Sequence, residues 1–168
     1  MKGCLPESSE LGMHSKAWNA HAFLAMKNDV FVAGGPMCLT RILLVDDEED
    51  VTRILSKRLS RRGYTCTTTS NGYEALEAMA HEPFPIVVMD VKMPGLDGMG
   101  ALLQIAERWP GTQVILLSGH ADMQLAVQAM SQGAFGYLMK PVDFEELLFK
   151  IEDAAAQSRL ERFKSNML

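Results

Sequence analysis

Two short runs, Ile86-Val87-Val88-Met89 and Val114-Ile115-Leu116-Leu117, carry no polar side chain at any position. Successive side chains of a strand point to opposite faces of its sheet. Both faces of these runs must therefore be buried. Strands of this kind belong to parallel sheets with helices packed above and below. From Arg41 onward, strand and helix patterns alternate around them. Strands are expected at 41–45, 64–68, 86–89, 114–117 and 135–139. That is five βα units in about 120 residues, an α/β chain. Right-handed crossovers wind such units into a doubly wound parallel sheet. With five strands the common order is 2-1-3-4-5, which puts a crevice at the switch point between strands 1 and 3.

The helices have their own signals. Val51, Ile54, Leu55 and Leu59 recur at helical spacing and predict a one-sided apolar stripe, stopped at Gly63. A second helix is expected over about 73–80. Asp97 and Asp122 are placed to cap the third and fourth helices, the latter over 123–131. The third ends near Trp109-Pro110. Asp143 and Glu146 open the fifth in a pattern similar to a capping box.

The chain has 168 residues, a hydrophobic fraction of 48% and a charged fraction of 22%, enough apolar material for one ordinary core. Its net charge of −5 argues against direct nucleic-acid binding. The basic pairs Lys57-Arg58 and Arg61-Arg62 read as a solvated helix face. Cys4, Cys38 and Cys66 are odd in number and far apart, which suggests neither zinc nor a disulfide framework and fits a reducing cytoplasm. No run reaches the length of a membrane span.

Residues 1–39 show no sustained period. They read as a tail, flexible or a start-site artefact, with one short helix around 15–26; Met37 is a candidate natural start. His14 and His21 lack acidic or cysteine partners and read as nothing. The folded unit is expected at 40–157. Residues 158–168 would be a helical extension or a truncated linker. Their Leu160, Phe163 and Met167 are expected to pack on the domain, with a dimer contact as the alternative.

Chemistry collects at the strand ends. Asp46 and Asp47 close the first strand, Asp90 the third, Ser118 the fourth, and Lys140-Pro141 the fifth. An Asp after a strand can be only a helix cap, and a lysine is usually solvated. Four strand ends agreeing in order and chemistry carry more weight. Two carboxylates ~4 Å apart repel by about 4 kcal/mol at an effective dielectric of ~20. A divalent cation removes that cost, and a sparse all-oxygen ligand set favours Mg²⁺. One carboxylate can then attack phosphorus, while Lys140 and Ser118 hold phosphoryl oxygens.

Leu44-Val45-Asp46-Asp47-Glu48, Met89-Asp90-Val91-Lys92-Met93-Pro94-Gly95-Leu96-Asp97-Gly98, Leu117-Ser118-Gly119-His120 and Tyr137-Leu138-Met139-Lys140-Pro141 together resemble the receiver domain of bacterial two-component response regulators. The resemblance covers about residues 40–156 and implies a flavodoxin-like (βα)5 fold. It implies that Asp90 accepts phosphate from a sensor histidine kinase or phosphotransfer protein. Asp47 would be the main side-chain ligand of Mg²⁺, with Asp46, Asp90 and the backbone carbonyl of Lys92 completing the set. Lys140 would pair with the phosphoryl group, across a cis Lys140-Pro141 bond. Ser118 and Tyr137 would be the switch, altering the surface of helix 4, strand 5 and helix 5. Lys92 and His120 would flank the path of water and tune dephosphorylation. The chain would be a cytoplasmic signalling protein that catalyses only its own phosphorylation and dephosphorylation. It would act on a downstream protein target or a missing output domain, with no membrane contact. A phosphorylation-dependent homodimer stays open. The wording around Gly119-His120-Ala121-Asp122 is similar to receivers of transcriptional regulators, so a stand-alone receiver and a fragment of a longer regulator both stay open.

Two other readings compete. A phosphatase of the haloacid dehalogenase type uses similar groups, but it wants a second Asp two residues after the nucleophile, where this chain has Lys92. A scaffold independent of phosphorylation would need only the fold.

Overall fold

The computed structural model describes residues 30–32, 35–37 and 40–167. The expected helix at 15–26, with His14 and His21, lies outside them. The chain divides into two compact units, Met1–Cys38 and Leu39–Leu168. In the first, Val30–Val32 and Gly35–Met37 form a short antiparallel pair that no sequence period announced.

The second unit runs β1 (Arg41–Val45), α1 (Glu49–Ser60), β2 (Thr65–Thr69), α2 (Gly72–His81), β3 (Ile86–Asp90), α3 (Gly98–Arg108), β4 (Gln113–Ser118), α4 (Met123–Ser131), β5 (Gly136–Met139) and α5 (Phe144–Asn166). The five strands are all parallel in the order β2-β1-β3-β4-β5, the expected doubly wound sheet.

Alternation along the strands divides the interior into two cores. Leu43, Val45, Val87, Met89, Val114 and Leu116 face one side, where Ala75, Leu76 and Met79 of α2, Ala101, Leu102 and Ile105 of α3, and Ala129 of α4 cover them. Ile42, Leu44, Ile86, Val88, Ile115 and Leu117 face the other, under Leu59 of α1 and Leu147, Leu148, Ile151, Ala154 and Ala155 of α5. The strand residues of both sets are buried, as their unbroken apolar character requires.

The caps behave as their chemistry dictates. Asp97 accepts from the Gly100 N–H at 2.7 Å, Asp122 from Gln124 and Leu125 at 2.9 and 3.1 Å, and Asp143 from Glu146 at 3.0 Å. Each satisfies donors that the first turn of a helix leaves orphaned. Asn71 does the same for α2 through the Glu74 N–H at 3.0 Å. The α1 end is turned by Gly63 at φ +87°, a conformation that suits a residue without Cβ. Two of the four clustered basic residues there are not merely solvated. The Arg58 guanidinium stacks 3.8 Å from the centre of the Phe144 ring, and Arg62 pairs with Glu145 at 3.0 Å, tying α1 to the start of α5.

Two expectations fail. Ile54 is 55% exposed, and Thr52 is buried in its place. The Thr52 hydroxyl donates to the Glu49 carbonyl at 3.0 Å, so its burial leaves no orphaned polar group. Leu160, Phe163 and Met167 are exposed and do not pack on the domain. The reason is length. At 1.5 Å per residue, the 23 residues of α5 span roughly 35 Å, whereas the six residues of β4 reach roughly 20 Å. The last buried residue of α5 is Ser158, which donates to the Gly111 carbonyl at 3.3 Å.

The start of α3 packs directly on the end of β3. A Cβ at Gly98 would lie 2.3 Å from the Asp90 carbonyl oxygen and 2.8 Å from Val91 Cα. Backbone cannot yield as a flexible side chain can, so Gly98→Ala is expected to destabilise the fold by about 2 kcal/mol or more in urea unfolding. Gly111→Ala, at a site with no atom within 4 Å of a new Cβ, should stay within about 1 kcal/mol.

Candidate functional site

Parallel strands in this register deliver their C-terminal residues to one edge. Asp90 lies beside Leu117, and Ser118 beside Met139. Asp46 and Asp47 follow β1, and Lys140 follows β5. The structure brings the three acids together: one carboxylate oxygen from each of Asp46, Asp47 and Asp90 lies within 4.8 Å of the others. Asp46 and Asp90 are buried, and Asp47 is exposed.

Lys140 joins the buried pair. Its Nζ lies 2.7 Å from Asp46 Oδ2 and 3.1 Å from Asp90 Oδ2, with Glu48 Oε1 farther off at 3.8 Å. The Lys140-Pro141 peptide is cis. The other Asp46 oxygen, Oδ1, accepts the Glu48 N–H at 2.9 Å. Asp90 Oδ1 receives only a long contact from the Lys92 N–H, 3.4 Å. Asp47 takes no side-chain hydrogen bond among the described residues, which leaves both its oxygens free.

One ammonium is thus shared among three carboxylates. Burial pushes the Asp90 carboxyl above its ordinary pKa; the Lys140 hydrogen bond and charge pull it back, and Asp46 adds to the rise. Burial opposes the Lys140 charge, but the Asp46 and Asp90 carboxylates outweigh it and hold its pKa above the usual lysine value. The site is short of positive charge. Its donors are all oxygen and few, which fits Mg²⁺ better than a softer metal.

Ser118 is buried and engaged within its own loop. Its Oγ donates to the His120 carbonyl at 3.3 Å and accepts the His120 N–H at 3.2 Å. His120 in turn meets Lys92: Nε2 and Nζ are 3.3 Å apart, bridging the loop after β3 to the loop after β4. Tyr137 is half-buried against the α2–α4 core, and its buried hydroxyl has no partner among the described residues. Glu48 was not singled out in the sequence, although its backbone fixes Asp46. Only its place after two acids could have signalled it.

The model of the response regulator receiver domain matches residues 42–152. The chain belongs to that family. The receiver is 42% identical over 113 residues to the DNA-binding transcriptional regulator NtrC of Escherichia coli K12, an alignment covering 67% of this chain and 24% of that protein. The chain therefore spans about a quarter of the length of that relative. Among solved structures it is similar to a response regulator receiver domain from Clostridium thermocellum, with TM-score 0.69, 35% identity and coverage of 73% of this chain and 98% of that one. The beryllofluoride-activated NtrC4 receiver domain dimer aligns with TM-score 0.68, 37% identity and coverage of 70% and 98%. The family is one of bacterial two-component signalling proteins. No helix among the described residues is long and apolar enough to cross a membrane.

The charge imbalance gives a direct expectation. At a hundredfold excess over its dissociation constant, a bound ion adds about 2.7 kcal/mol. Mg²⁺ should raise the melting temperature of this receiver by several degrees and EDTA should reverse the rise. Asp47→Ala should melt normally without metal, because that side chain is exposed and unpaired, yet gain little from Mg²⁺.

Proposed function

We propose that this receiver accepts a phosphoryl group on Asp90, with Mg²⁺ held by Asp46, Asp47, Asp90 and the backbone carbonyl of Lys92. The observation that carries the reading is the Lys140 ammonium, 2.7 Å from one buried carboxylate and 3.1 Å from the other. A cation is already aimed at the carboxylate that would become phosphorylated. The donor is a sensor histidine kinase or phosphotransfer protein. An Asp90 oxygen forms the new P–O bond as the donor's P–N bond breaks; the electron pair stays on the donor nitrogen. Mg²⁺ would supply charge neutralisation at the phosphoryl oxygens. Lys140 holds one of those oxygens by a charge-assisted hydrogen bond.

The switch follows from what Ser118 must give up. Its hydroxyl is committed to the His120 backbone and has to leave it to reach a phosphoryl oxygen. Tyr137, whose hydroxyl lacks a partner, responds to the space that Ser118 vacates. Driving a 1:99 population to 99:1 takes about 5.5 kcal/mol. New charge-assisted contacts, each stronger than a neutral hydrogen bond, are the source of it. The surface that changes is α4-β5-α5. It exposes Met123, Val127 and Met130 of α4, Met139 of β5 and Phe149 of α5, apolar side chains suited to a protein contact.

The downstream partner is a protein target or an output domain of a longer regulator; the similarity to NtrC favours the latter. The chain itself, at net charge −5, does not bind nucleic acid. A phosphorylation-dependent homodimer on this surface is consistent with the dimeric NtrC4 receiver. We place the protein in the cytoplasm, with its kinase. The unit 40–157 is the receiver proper, and 158–168 an extension or linker.

Incubation with acetyl phosphate and Mg²⁺ should add one phosphoryl group by intact mass, lost with EDTA and in Asp90→Asn. No gain from acetyl phosphate or from a panel of kinases would sink the reading. The Lys92–His120 bridge covers the approach of water to the acyl phosphate. Removing one such hydrogen bond lowers a barrier by about 1 kcal/mol, roughly fivefold in rate. Lys92→Ala and His120→Ala should each speed decay of the phosphorylated form by about that factor; unchanged decay would dismiss both as tuning residues.

A further inference from the structure

The segment from Thr69 to Tyr73, from the last residue of β2 to the first turn of α2, touches both walls of the acidic site. On one side the Asp46 N–H donates to the Thr69 carbonyl at 3.2 Å. On the other the Gly72 N–H donates to the Leu96 carbonyl at 3.3 Å, in the loop that follows Asp90. The approach at Gly72 excludes any side chain. A Cβ there would lie 2.6 Å from Leu96 O and 3.0 Å from Leu96 Cγ. The next residue extends the contact. The Tyr73 ring is the side chain that neighbours Gly95: a Cβ built there would lie 3.4 Å from Tyr73 Cε2 and 3.6 Å from Cδ2, ordinary packing distances. Gly95 sits at φ +80°, a conformation that a side chain would strain. Tyr73 is 64% exposed and has no part in the core, so burial of the ring does not explain its position.

The segment is itself held rigidly. Asn71 caps α2, and the Glu74 carboxylate accepts both the N–H and the hydroxyl of Ser70 at 2.9 Å. The loop it grips is closed at its other end, where the Gly98 N–H donates to the Val91 carbonyl at 2.9 Å. Lys92, whose backbone carbonyl is the expected metal ligand, lies inside this closed loop.

We infer that residues 69–73 form a brace that sets the distance between the Asp46-Asp47 turn and the loop 91–98, and that Gly72 and Tyr73 are positioning residues for the metal and the phosphoacceptor. This rests on the reading above that the loop holds Mg²⁺. Carboxylates and a carbonyl from two loops can share one small octahedral ion only at a narrow spacing. Contacts behind metal ligands are commonly worth 10–100-fold in affinity.

The test compares wild type, Tyr73→Ala and Tyr73→Phe by Mg²⁺ titration calorimetry, by hydrogen exchange of the loop amides and by global melting. Tyr73→Ala should weaken Mg²⁺ binding about tenfold and speed exchange across 91–98, with a melting temperature close to wild type. Tyr73→Phe should restore both, because the ring carbons make the contact. Gly72→Ala should show a larger loss in whatever fraction folds. Wild-type affinity and wild-type loop exchange in Tyr73→Ala would overturn the brace. If wild type itself takes up no Mg²⁺, the metal reading falls, and loop exchange alone decides the brace: faster exchange in Tyr73→Ala upholds it, unchanged exchange overturns it.

Discussion

The Lys140 ammonium between Asp46 and Asp90 is the contact on which the upper edge of the sheet depends. Two carboxylates buried at neighbouring strand ends repel, and little water reaches them to screen the repulsion. Lys140 offsets that repulsion within 2.7 and 3.1 Å. It does not cancel it, because the exposed Asp47 brings a third negative charge to the same cluster. The result is a fold that tolerates its acids while remaining receptive to a further cation. The carboxylates hold the Lys140 proton more firmly than in a free lysine, while burial first, and the Asp46 charge after it, makes Asp90 lose its proton less readily than a free aspartate. On the function proposed above, a phosphoryl group arriving with a divalent ion would take over the lysine.

Everything behind that edge serves to hold it still. Odd and even positions of β1, β3 and β4 point into separate cores, so each strand is gripped from both faces. The loops beyond the strands are tied crosswise: Asp46 to Thr69, Leu96 to Gly72, Val91 to Leu117, Lys140 to Ser118 by backbone hydrogen bonds. Ser118, by contrast, spends its hydroxyl on its own loop, and the Tyr137 hydroxyl has no partner. Polar groups satisfied only locally cost less to release than those joined across loops.

The strand ends and caps were legible in the sequence because each has a local signature. Asp97, Asp122 and Asp143 stand before apolar periods, and a side-chain oxygen at that point has few other uses. Tertiary choices were not legible. Val51, Ile54, Leu55 and Leu59 define a stripe, yet the helix is rotated so that Thr52 enters and Ile54 leaves. Periodicity gives an arc of a helix; the partner surface selects the part of it that is covered. Leu160, Phe163 and Met167 have good helical spacing, but spacing carries no information on where the sheet ends. The approach of Gly72 to Leu96 was missed for a related reason: a close approach of two backbones leaves only a glycine as its trace.

The sequence by itself determined the layers, the parallel order and which side chains reach the chemical edge. Those follow from side-chain alternation and from the two-sided burial of apolar strands, properties of a few consecutive residues. Only the tertiary structure decided how Lys140 divides itself between Asp46 and Asp90, that Lys92 meets His120, and that the Tyr73 ring neighbours Gly95. These pairs are 94, 50, 28 and 22 residues apart in the chain, and distances of that kind are set by how helices and sheet pack together, not by any local pattern.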